Sequence, residues 1–535
     1  MVRKPASRKT SPARANKSLC IQAQQELTRT IPRAVFQSYQ TSISSGIKKF
    51  ISNHHTKIQH LLDTSYQIRN STSPTTHTTH PIHNPETPHT PHLRVGCRHL
   101  NLANDPEAAP FKIPSFINIF RHLITLPIIT KELSQEELAE LTRILALPAR
   151  HDIYKALHHL PAGNRLADIY ARVGHQIDLT RQFPTTDFHA LLFNSFTSYT
   201  ILEMIEARMN HVSICSLSYG GKQYPNFLYI FHHGRNQVSK TSKTGLLDNL
   251  EINLIAEEIA KRVIYLGELI GSSKLPNRLI IFLTDAKKEV DAALEHQRHF
   301  RTLNVNTAVT NMRDIIIYRR EELYKSIFHE LIHFHNLDFK RLQPELSAMM
   351  LEYLHRTHNI STENEYLLYE AITESLANTL NAAFLSRGIK EFQANLAREV
   401  MFSTFQAAKI LRVCGFHSWG EFALLEGDSR TEGKAWRQDS CVFSYYVLKL
   451  YVLLNLDAYW TGLLDGRMKF QVSKGHITKL LEIFEAGRMN PGLKKIMDYL
   501  LLARGPGNGK RQNTKTMKNQ EKKINKTLRM TCLDG

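Results

Sequence analysis

His329-Glu330-Leu331-Ile332-His333 sets two histidines four residues apart with a glutamate between them. On an α-helix, residues i and i+4 share a face, so both imidazoles can bind one metal ion while Glu330 leans over the water beside it. Zinc held by three protein ligands lowers the pKa of a water in its open position to about 7, and a neighbouring carboxylate can take the proton. The chemistry is hydrolysis, with Glu330 as general base and then as carrier of that proton to the leaving amine. The plainer reading is two core histidines bonded to backbone carbonyls. The flanking residues weigh against it, because Ile327, Phe328, Leu331, Ile332 and Phe334 leave the helix little solvated surface. Two imidazoles and a carboxylate inside an apolar helix need a partner.

A third ligand must come from elsewhere. A metzincin extension would place glycine at 336 and histidine at 339, and the chain has Asn336 and Phe339. The stretch Tyr366 to Leu385 reads as a helix carrying Glu370 and Glu374 one turn apart on one face. Glu374-Ser-Leu-Ala377 puts a small residue where the glutamate helix must approach the histidine helix, which favours Glu374 as ligand and leaves Glu370 as the alternative. The other glutamate would accept a hydrogen bond from a ligating imidazole, a role that Asp338 or Asn378 could share. A solvated helix face is the competing explanation for both. Tyr445, Tyr446 and His417 are candidate donors to a tetrahedral oxyanion, and each reads otherwise as a packing residue.

The elements that would position this set are legible in outline. Asp314-Ile-Ile-Ile-Tyr318 predicts a buried strand, and Arg319-Arg-Glu-Glu322 predicts a helix start with acids in its first turn. Upstream, Arg278 to Asp285 predicts an apolar strand and Leu250 to Leu269 a helix. Val212 to Tyr219 and Phe227 to Phe231 predict a hairpin turning at Gly220-Gly221. Ser134-Gln-Glu-Glu137 is a capping box opening a helix through Leu145, with more helix over 153–160 and 188–209.

The net charge of +19 is unevenly placed. Residues 1–100 carry 14 Lys/Arg against 3 Asp/Glu, and residues 503–535 carry 9 against 2, so 11 + 7 leaves +1 for the middle. The basicity belongs to the ends, where it predicts contact with nucleic acid or another polyanion. Residues 70–92 are rich in Ser, Thr, Pro and His; five prolines deny His77, His80, His83, His89 and His92 a fixed geometry, so the tract reads as a disordered linker. Residues 20–66 carry apolar residues at near-helical spacing. Cys20, Cys97, Cys215, Cys414, Cys441 and Cys532 show no close pair, which predicts no disulfide framework and a reducing compartment (cytoplasm, nucleus or virion). The first residues lack the apolar core of a secretory signal, and no span is apolar enough to cross a membrane.

Beyond the motif itself, Asn306 to Thr310, Ile315 to Glu322, Ile327 to His333 with Leu337-Asp338-Phe339, Thr373 to Ala377, Phe405 to Leu411 and Ser444 to Lys449 form an ordered series. In order and spacing it resembles the gluzincin clan of zinc metallopeptidases, in particular those encoded by large nucleocytoplasmic DNA viruses. The resemblance covers roughly residues 270–460. It implies an α+β zincin-like domain, mostly helical with a small mixed sheet before the active-site helix, and an edge strand that pairs with extended substrate. It also implies one Zn2+ held by His329, His333 and Glu374, and peptide-bond hydrolysis with Glu330 as base.

The expected organisation is a basic, largely disordered stretch over 1–105, a helical region over 106–210, the zincin-like domain over 211–502 and a basic disordered tail over 503–535. The alternative from another class is a basic virion or nuclear protein that binds nucleic acid through its ends and keeps an inactive or structural zinc fold. A structural site, however, needs no base and usually closes with four ligands, so Glu330 weighs against it.

Overall fold

The computed structural model describes residues 12–71, 92–159, 197–234, 247–425, 436–502 and 524–533, apart from short stretches within them. The chain forms two compact units from interleaved segments. Unit 1 takes residues 1–65, 289–300 and 335–535, and unit 2 takes 66–288 and 301–334. The architecture is mixed α+β.

The strands in chain order are β1 (Arg94–Asn101), β2 (His211–Tyr219), β3 (Lys222–His232), β4 (Arg278–Phe282), β5 (His299–Phe300), β6 (Ala308–Thr310), β7 (Asp314–Ile317) and β8 (Arg437–Gln438). Unit 2 is built on a six-stranded sheet in the order β1-β2-β3-β4-β7-β6. β2 and β3 form the expected hairpin, with Gly220 at φ +56 and Gly221 at φ +76 supplying the two left-handed residues of a tight turn. β3, β4 and β7 run parallel, and Leu279 to Phe282 and Asp314 to Ile317 are buried throughout, which is why both read as unbroken apolar runs. β6 is one of the two edge strands, antiparallel to β7 and half-buried.

Several expectations about organisation are corrected. The helices expected as a separate region over 106–210 share one core with the sheet. Phe116, Leu141, Ile144, Ile201 and Ile205 belong to the same buried cluster as Val212, Phe231, Ile280, Phe282 and Ile316. Amphipathic helices this short must bury their stripe against something, and the sheet face is within unit 2. The capping box at Ser134 and Glu137 forms as expected. Within 1–105, the near-helical spacing over 20–66 does mark helices. Helices span Pro12–Thr30, Arg33–Asn53 and His55–Asn70, and β1 follows. Of the histidine tract, 72–91 lies outside the described residues.

Unit 1 is helical around the long helix Ile389–Val413, most of whose residues are buried. Pro344–Thr357, Tyr369–Phe384, Lys449–Leu454, Lys474–Arg488 and Pro491–Leu502 complete its frame. Residues 524–533, expected in a disordered tail, are buried in this unit through Ile524, Leu528, Met530 and Cys532. The cysteine expectation is corrected too. Cys20 is bonded to Cys532 and Cys97 to Cys215, while Cys414 and Cys441 are buried outside any disulfide. The second pair joins directly opposed residues of β1 and β2. Sequence spacing carries no information about such pairing, because separations of 512 and 118 residues are closed by tertiary structure alone. Among the described residues, no helix is long and apolar enough to cross a membrane.

Candidate metal centre

β7 leads into the motif helix, Leu323–Phe334, through residues 318–322. The expected acids in the first helical turn are not there: the helix begins after Glu322, and the Arg-Arg-Glu-Glu run forms the connection instead. Arg319 is fully buried and its guanidinium donates to the carbonyls of Asn306 (2.6 Å), Lys287 (2.7 Å) and Leu303. Lys288 and Glu322 form a buried ion pair at 2.6 Å, and the Lys288 amide donates to Glu321 at 2.6 Å. Glu322 has φ +60, a left-handed conformation unusual for a glutamate. A strand must turn sharply into a helix here, and two buried cations hold the turn.

Eleven of the twelve residues of the motif helix are buried, Tyr324 excepted. It packs against the helix Asn249–Ile270, with Tyr265 edge-on to Phe328 at 5.9 Å. The i, i+4 spacing places His329 and His333 on one face. Their Nε2 atoms lie 3.1 Å apart and the rings meet at 81°. Two neutral imidazoles meeting Nε2 to Nε2 must share either one proton or one cation. Nitrogens each about 2.05 Å from a tetrahedral zinc lie roughly 3.3 Å apart, so the observed spacing suits a shared metal. Glu330 is buried, and Thr310 at the end of β6 donates its hydroxyl to Glu330 Oε2 at 2.5 Å.

The carboxylate helix, Tyr369–Phe384, is buried from Glu370 onward. One ligand atom from each of His329, His333 and Glu370 lies within 4.8 Å of the other two, the one such cluster of His, Cys, Asp or Glu among the described residues. Glu374, which the E-x-x-A pattern favoured, is fully buried but is not in this cluster. The two glutamates lie one turn apart on the same helix. Periodicity could place both on the right face but could not choose between turns.

The remaining candidates disperse. Asp338 is buried and accepts from the Thr373 hydroxyl at 3.1 Å. Asn378 directs its amide nitrogen to Glu399 (3.3 Å) and the Met530 carbonyl (3.4 Å). Tyr446 commits its hydroxyl to the Leu528 carbonyl, which corrects its candidacy as an oxyanion donor. His417 is exposed, its backbone amide bonded to Glu421 at 2.8 Å, and Tyr445 is half-buried. Thr310, Lys288 and Arg319 are the site-shaping residues that pattern reading passed over. Arg319 within a β-strand-to-helix junction was the available signal, since a cation in an apolar run must be paired.

No protein-family model matches the chain, and no solved structure matches it. The chain is similar to an uncharacterized protein of Acanthamoeba polyphaga mimivirus, 26% identical over 155 residues. That stretch is 27% of this chain and 37% of the viral protein, so the chain spans little more than a third of that relative's length.

Proposed function

We propose that this protein is a zinc-dependent metallopeptidase whose ion is held by His329, His333 and Glu370. The observation that carries this reading is the convergence of those three ligand atoms beside a buried Glu330. When bound, the metal would acidify a water molecule and polarise the scissile carbonyl. The chain's own groups do the rest. Glu330 takes the proton of the attacking water and passes it to the leaving amine. Thr310 fixes one oxygen of that carboxylate, leaving the other to face the reacting water. Edge strand β6, unpaired on its outer side in the six-stranded sheet, offers main-chain groups to an extended peptide. Glu374, one turn beyond Glu370, is assigned the second-shell role of orienting a ligating imidazole.

The test is metal content by mass spectrometry on the full chain. One zinc per chain is expected, lost in His329→Ala, His333→Ala and Glu370→Ala and retained in Glu374→Ala. Glu330→Gln should keep the zinc and lose about 10³-fold in cleavage of a peptide library. Chains that hold no zinc would sink the proposal, and zinc lost only with Glu374 would return the third ligand to that residue.

The charge at the two ends favours a second, compatible reading, in which basic segments carry the enzyme to a polyanion. Retention on duplex DNA should then fall steeply between low and moderate salt. Retention indifferent to salt would dismiss it.

A further inference from the structure

Residues 524–533 lie in unit 1 in the manner of a bound peptide. Beyond an isolated bridge from Thr527 to Glu289 and a bond from the Val290 amide to the Lys526 carbonyl (2.8 Å), side chains of unit 1 satisfy much of its backbone. Lys409 donates its ammonium to the carbonyls of Ile524 (2.8 Å) and Thr527 (2.5 Å), and Lys449 donates to that of Met530 (2.7 Å). Glu399 accepts from the successive amides of Cys532 and Leu533, each at 3.1 Å, and from the Thr531 hydroxyl. All three side chains are buried.

Charged groups are rarely placed in a helical core unless hydrogen bonds compensate them, and here the compensation includes one segment's main chain. Cations on carbonyls and a carboxylate on consecutive amides read backbone rather than sequence, which is the chemistry of a peptide-binding groove. The segment is also held covalently. Cys532 is buried, whereas its partner Cys20 is only partly buried.

We propose that unit 1 carries a peptide-binding groove occupied by the chain's own 524–533 segment, with the Cys20–Cys532 disulfide as a reducible lock. A dithiol reductant supplies two electrons and two protons. The sulfur–sulfur bond breaks, Cys20 and Cys532 become thiols, and the dithiol closes to its cyclic disulfide. Held then by non-covalent bonds alone, the segment can exchange for another peptide that turns two successive amides toward Glu399 and presents carbonyls to Lys409 and Lys449. Nothing in this depends on a metal.

The test is hydrogen exchange on the full chain, read by mass spectrometry with and without dithiothreitol. Reduction should speed exchange over 524–533 about tenfold or more while helix 389–413 stays protected, and Cys20→Ser should do so without reductant. Cys97→Ser, which opens the other disulfide, should leave the segment protected. A fluorescein-labelled peptide of residues 522–535 carrying Cys532→Ser should bind Cys20→Ser saturably and not the oxidised wild type. Protection unchanged on reduction, collapse of helix 389–413 together with the segment, or no binding of the labelled peptide would each overturn the proposal.

Discussion

Thr310 is a small residue with a specific consequence. Its hydroxyl donates to Glu330 Oε2 at 2.5 Å and also approaches the Glu330 carbonyl at 3.3 Å, so it fixes both the side chain and the helical turn that bears it. Hydrogen bonds to charged groups contribute about 1.5–3 kcal/mol, and a base must be aimed as well as present. Thr310→Val should therefore lower kcat roughly tenfold or more with zinc content and KM little changed. Steady-state kinetics beside metal analysis separates this from a folding defect; loss of zinc along with activity would place Thr310 in the metal site's support instead.

At the scale of elements, the turn from β7 into the motif helix rests on the buried pair of Lys288 and Glu322. Removing one partner of such a pair leaves an uncompensated buried charge and costs about 3–5 kcal/mol, whereas replacing both with apolar residues of similar size is often nearly neutral. Lys288→Met should lower unfolding free energy by about that amount in urea titration, and Lys288→Met with Glu322→Leu should recover most of it. The left-handed φ of Glu322 is common to the wild type and the double variant, so its strain does not alter the comparison. A double variant as weak as the single one would mean that the pair sets the backbone turn itself.

For the whole molecule, both units bury neutral histidines. In unit 1, burial pushes His358 down from 6.5 to about 3, with Arg488 adding to the effect; the ring bridges the Thr357 and Tyr451 hydroxyls at 2.9 and 3.0 Å. In unit 2, burial does the same to His232, to about 3, helped by His211 and His99. The folded chain leaves these rings unprotonated while the unfolded chain protonates them below about 6.5, so the stability they contribute is present above that pH and lost as pH falls toward 3. Each histidine should cost about 2 kcal/mol between pH 6.5 and 5. Urea midpoints across that range should fall, and His358→Asn should flatten the slope for unit 1. Midpoints insensitive to pH would show that these rings are accessible to protons in the fold.

What could be read from sequence was whatever depends on near neighbours. The i, i+4 histidines, the hairpin glycines, the capping box at Ser134 and the apolar runs of β4 and β7 all express periods of two or of 3.6 residues, and all formed where expected. Whether Glu370 or Glu374 would meet a metal is a matter of tertiary placement, and no local period encodes that. The same holds for Cys20 with Cys532, for the described helices around Phe116, Leu141 and Ile201 merging into the core of the sheet, and for residues 524–533 entering unit 1 from within a strongly basic tail. Each depends on which distant groups can satisfy one another once burial has removed water. Buried lysines at 409 and 449, set in apolar helices, marked the need for partners; only the folded chain supplied the carbonyls that meet it.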